Sequence, residues 1–198
     1  MEIMTEPTSS YQRNLQEEIF AGPPYDLSFK GSKTINALVK KKAESIRTGK
    51  LPKRMSDGRF ITSSLWLNNN LLNSISDLKI LVDNLLMGSS YLHWLELSFN
   101  KIYEIEDEIY NFPNLKILYL HGNKITDINQ IMKLRKLLRL RMLTLHGNPI
   151  ENTPNYRSFI IHILPQIKTL DFSPILSADR KKVLPAGFFR KIDTTSFV

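Results

Sequence analysis

The stretch LYLHGN, Leu118 to Asn123, and its echo LTLHGN, Leu143 to Asn148, decide the fold. Leucines alternate with other residues, and a short turn then ends on asparagine. Two more stretches take the same form: LELSFN, Leu95 to Asn100, and LWLNNN, Leu65 to Asn70. Extended outward to L-x-x-L-x-L-x-x-N-x-L, three copies fit in full. They are Leu92/Leu95/Leu97/Asn100/Ile102, Leu115/Leu118/Leu120/Asn123/Ile125 and Leu140/Leu143/Leu145/Asn148/Ile150. The first copy, Thr62/Leu65/Leu67/Asn70/Leu72, opens with threonine. Alternation at a period of two puts the leucines on one face of a short strand. The asparagine amide carries both donors and an acceptor, so Asn70, Asn100, Asn123 and Asn148 can serve unpaired backbone groups on the turn and its neighbour.

This pattern is the leucine-rich repeat signature. One strand and its return segment cannot bury an apolar face alone, so copies stack into a curved solenoid. The expected fold class is therefore an α/β solenoid. About five parallel strands line the concave face, short helices lie on the convex face, and a cap closes the C-terminus. The asparagines are 30, 23 and 25 residues apart. The long step has room for a convex helix over Ile75, Leu78, Leu81, Val82, Leu85 and Leu86, with Gly88 as its stop. Ile128, Ile131, Met132, Leu134 and Leu138 read as a second helix. Tyr156 to Leu164 reads as a third, ending at Pro165. Ile167, Leu170 and Phe172 keep the apolar spacing of an altered fifth copy, in which Ile175 stands at the asparagine place. The expected organisation is an N-terminal arm over 1–60, four repeats over 61–150, a cap over 151–180 and a tail over 181–198.

The chain has no cysteine, so no disulfide framework holds it, whereas extracellular repeats of this kind usually carry disulfide-bonded caps. No apolar run approaches the length of a membrane span. MEIMTEPTSS, at the start, lacks the apolar centre of a secretory signal. A soluble intracellular protein is expected. The net charge of +8 gathers on the flanks. Its densest part runs from Lys33 to Arg54 and includes Lys40, Lys41, Lys42, Arg47, Lys53 and Arg54. Ile35, Leu38, Val39, Ala43 and Ile46 recur in it at helical spacing. A basic amphipathic segment over 33–54 is expected, either as a solvated face or as a contact for an acidic surface. Nucleic acid is the poorer partner, because no aromatic-basic interleaving accompanies the charge.

Strand alternation turns the residues between the leucines outward. Trp66, Trp94, Phe99, Ile117, Tyr119 and Met142 should form one apolar-aromatic patch on adjacent strands ~4.8 Å apart. Such a patch suits a partner helix or extended segment with aromatic anchors. The alternative is that a tail or the basic segment folds back over it. His121 and His146 fall in equivalent places in adjacent copies. A metal needs at least a third ligand, so they read as polar turn residues and no metal is expected. The acidic run Glu104, Glu106, Asp107 and Glu108 reads as a solvated convex face, and Asp57-Gly58 as a turn. No phosphate loop, dinucleotide fingerprint or nucleophile elbow is present, so neither a cofactor nor an enzyme is expected.

The chain resembles the leucine-rich repeat-containing protein 51 family. SLWLNNN (Ser64 to Asn70), LSFN (Leu97 to Asn100), LYLHGN, LTLHGNP (Leu143 to Pro149), Tyr156-Arg157, Asp171-Phe172-Ser173 and Ala178-Asp179-Arg180 carry the resemblance, with PPYDLSF (Pro23 to Phe29) upstream. It covers roughly residues 22–182. The ends and the spacing around Asn84 to Ser90 depart from it. The resemblance implies no enzyme activity, and it implies association with cilia and the axoneme. The expected partners are larger axonemal proteins, with tubulin as a further acidic surface. No membrane or homo-oligomeric contact is expected, and the expected location is the cytoplasm and the axoneme of a cilium or flagellum. The alternatives are a phosphatase-regulator-type adaptor and a nucleic-acid-associated repeat protein.

Overall fold

In the computed structural model, residues 22–43, 47 and 49–182 are described. The four repeat copies supply β4 (Ser64–Trp66), β5 (Trp94–Glu96), β6 (Ile117–Tyr119) and β7 (Met142–Thr144). They pair in parallel, with Leu65, Leu95, Leu118 and Leu143 in one register row. The sheet continues at both ends. β1 (Tyr25–Asp26) adds in parallel to β4, and β8 (Thr169–Leu170) adds in parallel to β7. β9 (Ser173–Pro174) then returns antiparallel to β8. The result is seven strands in the order β1-β4-β5-β6-β7-β8-β9, where about five were expected. The extra N-terminal strand comes from PPYDLSF, whose Tyr25 and Leu27 are buried like repeat leucines.

The leucines of the four copies lie inside the coil, each at most 3% exposed. The asparagine turns are tied by a ladder running across the coils. The Asn123 amide donates to the Leu97 carbonyl at 3.0 Å and to the Leu120 carbonyl at 2.9 Å. Its Oδ1 accepts from the Ile102 N–H at 3.0 Å. Asn70, Asn100 and Asn148 make equivalent bonds. At the last coil, where Ile175 stands at the asparagine place, Asp171 ties the preceding turn from beside β8, its Oδ1 accepting from the N–H groups of Leu145 at 2.7 Å and His146 at 2.9 Å.

The convex side is less helical than expected. Between β4 and β5, α2 (Leu78–Leu85) buries Leu78, Leu81 and Val82. The stretch Ile128–Lys136 is a 3₁₀ helix, and Leu138 beyond it is 73% exposed rather than packed. A 3₁₀ helix rises ~2.0 Å per residue against ~1.5 Å for an α-helix, so it spans a coil with fewer residues. The shorter repeat steps leave room only for that. The acidic run is more than a solvated face. Glu106 accepts from the Ile75 N–H at 3.2 Å and Glu108 from the Lys79 N–H at 2.9 Å, which closes backbone donors of the preceding coil. Lys133 reaches Glu104 at 3.0 Å and Asp107 at 3.8 Å.

The arm does not form one long basic helix. Thr34 caps α1 (Ile35–Val39), which buries Ile35 and Leu38 and ends at Lys40. Ile46, expected on the same apolar face, lies outside the described residues. Pro52 cannot continue a helix, and β2 (Lys53–Arg54) instead pairs antiparallel with β3 (Phe60–Ile61) around the Asp57-Gly58 turn. The cap helix α3 (Tyr156–Ile163) stops just before Leu164, and α4 (Ser177–Arg180) follows β9. No helix among the described residues is long and apolar enough to cross a membrane.

Candidate functional site

Two register rows face outward across the concave sheet. One runs Ser64, Trp94, Ile117, Met142, and the other runs Asp26, Trp66, Glu96, Tyr119, Thr144. From these rows the aromatic rings meet edge to face. The Trp66 and Trp94 centroids are 5.3 Å apart, Trp94 and Tyr119 5.8 Å, and Tyr119 and Phe172 5.3 Å. Ring edges carry partial positive charge and faces partial negative, which favours this geometry. Ile117 and Met142 lie in the Trp94 row and are half-buried. Phe99 is 55% exposed and meets the chain of rings through His121, at 5.0 Å.

Phe172 reverses the sequence reading. It was expected in the core of the altered repeat, and it is 55% exposed on the concave side. Asp171 and Phe172 both adopt left-handed backbone, at φ 51° and 60°, which turns the chain back into β9 and carries the ring outward. The same conformation recurs at Asn69 (φ 56°), Phe99 (φ 52°), Gly122 (φ 68°) and Gly147 (φ 69°), all at the penultimate place of their asparagine turns. A side chain on Gly122 would meet the Phe99 ring at 2.7 Å, so glycine there lets the Phe99 ring lie across the turn.

His121 and His146 stack, 4.7 Å apart and 8° from parallel. The His121 ring nitrogen Nδ1 pairs with the Thr144 hydroxyl at 2.8 Å. Burial first, then the neighbouring His146, holds the His121 pKa below the usual histidine value, and the Asp171 charge opposes this. Phe172 packs against both rings at 5.6 Å. Asp171 also accepts from the Tyr156 hydroxyl at 2.9 Å, and the Tyr156 pKa is raised, first by burial and then by the Asp171 charge. No group of three or more metal-ligating side chains occurs among the described residues.

Glu96 is the residue that pattern reading passed over. It stands in the outward row between Trp66 and Tyr119, yet it is only 8% exposed. Its Oε1 accepts from the Ser98 N–H at 3.0 Å. Burial raises its pKa, and the Ser98 bonds and the Arg47 charge oppose the rise. Neither the Trp66 nor the Trp94 indole N–H has a hydrogen-bond partner among the described residues.

The basic residues divide into two groups. Lys40, Lys41, Lys42 and Arg54 line a cleft of about 490 Å³ beside α1, floored by Tyr25, Phe60 and Leu85. Arg54 sits 4.8 Å over the Phe60 ring, and Lys53 is exposed beside it on β2. Arg47 was grouped with these as a contact for an outside acidic surface, but its guanidinium is engaged within the chain. It lies 4.5 Å over the Trp66 ring and 5.9 Å from Phe29. It donates to Ser28 Oγ at 3.0 Å and Asn68 Oδ1 at 3.2 Å, and it stands 4.0 Å from the Asp26 carboxylate. The basic segment thus folds back over one end of the aromatic patch, through a single side chain among the described residues.

Comparison with known proteins agrees with this architecture. A family model described as "Leucine-rich repeat" matches residues 73–193. The chain is 46% identical over 159 residues to leucine-rich repeat-containing protein 51 of Rattus norvegicus, covering 80% of this chain and 81% of the relative. The identity to the same protein of Homo sapiens is 45%, with the same coverage. Among solved structures, one described as the Drosophila melanogaster SNF/U2A' complex shares the fold, with a TM-score of 0.57 at 24% identity. That likeness covers 83% of this chain and 86% of the other. By sequence identity along most of both chains, this protein belongs to the leucine-rich repeat-containing protein 51 family.

Proposed function

We propose that this chain is a non-catalytic scaffold of the ciliary axoneme. It holds a helix or extended segment of a larger axonemal protein in its concave face. The carrying observation is the unbroken run of ring contacts from Trp66 through Trp94 and Tyr119 to Phe172, on the side of the sheet that the leucine core does not use. Large aromatic side chains that lose water on binding are the usual anchors of protein interfaces. The axonemal address rests on the family resemblance. The basic cluster of Lys40, Lys41, Lys42, Lys53 and Arg54 is a second contact in this reading, for an acidic surface such as tubulin.

The test pairs a melting curve with co-purification from detergent-stripped axonemes, using Trp94→Ala. Truncation should leave the fold nearly as stable and lower partner affinity by at least about tenfold, since buried interface aromatics carry ~2 kcal/mol or more each. A stable variant that still co-purifies normally moves the binding site off this face.

A further inference from the structure

The outward row Asp26, Trp66, Glu96, Tyr119 sets two carboxylates on either side of an indole, on three neighbouring strands. Both acids are more than nine-tenths buried, at 3% and 8% exposure. Burying a carboxylate is costly unless a cation or several donors compensate it. Asp26 has its compensation: the Ser28 N–H and hydroxyl donate to it, and the Arg47 guanidinium stands 4.0 Å away. That guanidinium also lies over the Trp66 ring, its carbon 4.5 Å from the centroid, within cation–π range.

Glu96 repeats this arrangement one step along the sheet, but only in part. Trp94 is on its own strand and Tyr119 is its register partner, so aromatic rings stand on two sides of it, where Asp26 has Trp66 on one. Its Oε1 accepts from Ser98. No ion pair reaches it among the described residues. Among the described residues, the row holds two carboxylates and the one guanidinium of Arg47, which is in ion-pair reach of Asp26 and acts on Glu96 only through its charge.

We propose that the partner segment presents an arginine to this face, its guanidinium meeting Glu96 beside the rings of Trp94 and Tyr119. Arg47 over Trp66 and beside Asp26 is this chain's own instance of the same contact and shows the geometry that the face accepts. A guanidinium suits the place better than an ammonium, because it is planar, stacks on rings and donates to a carboxylate in fixed directions. This inference rests on the concave face being the partner surface and specifies what that partner carries.

The experiment uses the full chain and two short alanine-based peptides. One carries a single central arginine, and its twin carries citrulline, the neutral analogue of arginine. Both tryptophans of the protein stand at the site, so their two indole N–H resonances report occupancy directly. The arginine peptide should shift them saturably and bind about tenfold or more tightly than the citrulline peptide, the scale of one charge-assisted hydrogen-bonded contact. Glu96→Gln keeps an acceptor for Ser98 and should abolish that preference. Equal binding of the two peptides to the unmodified chain, or no saturable binding of either, overturns the proposal whatever the variant does. A preference that survives in Glu96→Gln overturns it as well. Because the peptides are independent of axonemal extracts, failure here is distinct from failure of the Trp94→Ala co-purification.

Discussion

At the scale of single residues, asparagine is irreplaceable where a turn needs donors and an acceptor together. Asn123 is 2% exposed, and its amide donates to carbonyls of two coils while its oxygen accepts from an N–H of the preceding one. Asn123→Ala should cost on the order of 1–3 kcal/mol, the price of leaving buried polar groups unpaired. Unfolding by heat or urea at wild-type midpoints would remove the ladder from the account of stability. Asp171 ties the last coil by accepting from two N–H groups and the Tyr156 hydroxyl, with the His146 ring nitrogen Nδ1 3.3 Å from the same carboxylate. Gly122 is constrained differently. Its left-handed backbone at φ 68° and the Phe99 ring at 2.7 Å both oppose a side chain. Gly122→Ala should destabilise by about 1–2 kcal/mol from backbone strain alone. A double-mutant cycle with Phe99→Ala should recover the part of the loss that comes from the ring. Full additivity would show that the ring yields freely.

At the scale of elements, the length of each repeat step selects the convex structure. The 30-residue step carries α2, while the shorter steps carry 3₁₀ segments. Glu106 and Glu108 join the 3₁₀ segment Asp107–Asn111 to the coil before it, a second set of ties on the side opposite the asparagines. The arm is broken in the same economical way. α1 ends after five residues, and Lys40, Lys41 and Lys42 follow it exposed. Their charges act outward through water, where salt screens them over ~10 Å at 0.1 M. Replacing the three lysines with glutamine should weaken co-sedimentation with microtubules, and more so at low salt than at high salt. An unchanged salt dependence would reduce these lysines to a solvated face.

At the scale of the molecule, the concave face couples binding chemistry to stability. Glu96 has a raised pKa in the fold, because burial disfavours its charge. The folded state then holds its proton more tightly than the unfolded chain does. Stability from this group is therefore present below the ordinary glutamate value of 4.5 and is lost as pH rises through it toward the raised folded value. Glu96→Gln removes the ionisation and keeps the acceptor. Its melting temperature should gain on wild type as pH rises above that ordinary value, with little difference at lower pH. Parallel curves for the two proteins across that range would mean that the carboxylate is solvated in the fold. His121 works in the opposite direction: its lowered pKa means stability is lost as pH falls through 6.5, the ordinary histidine value.

Local pattern determined most of the architecture. The leucine period and the asparagine turn are properties of a few consecutive residues, so strand positions, facing and stacking could all be read from the sequence. Trp66, Trp94 and Tyr119 could be placed on the open face for the same reason. The rest depended on contacts between distant segments. β1 is a strand because an edge of β4 is available to pair with it, not because its own sequence repeats the signature. Phe172 faces outward because two left-handed residues and an antiparallel return reverse the expected alternation. Arg47 lies over Trp66, 19 residues along the chain, and no local period connects them. Glu96 showed in the sequence only as a polar residue on an outward position. Its burial, and the charge it leaves to be met, arise from the rings that neighbouring coils pack around it.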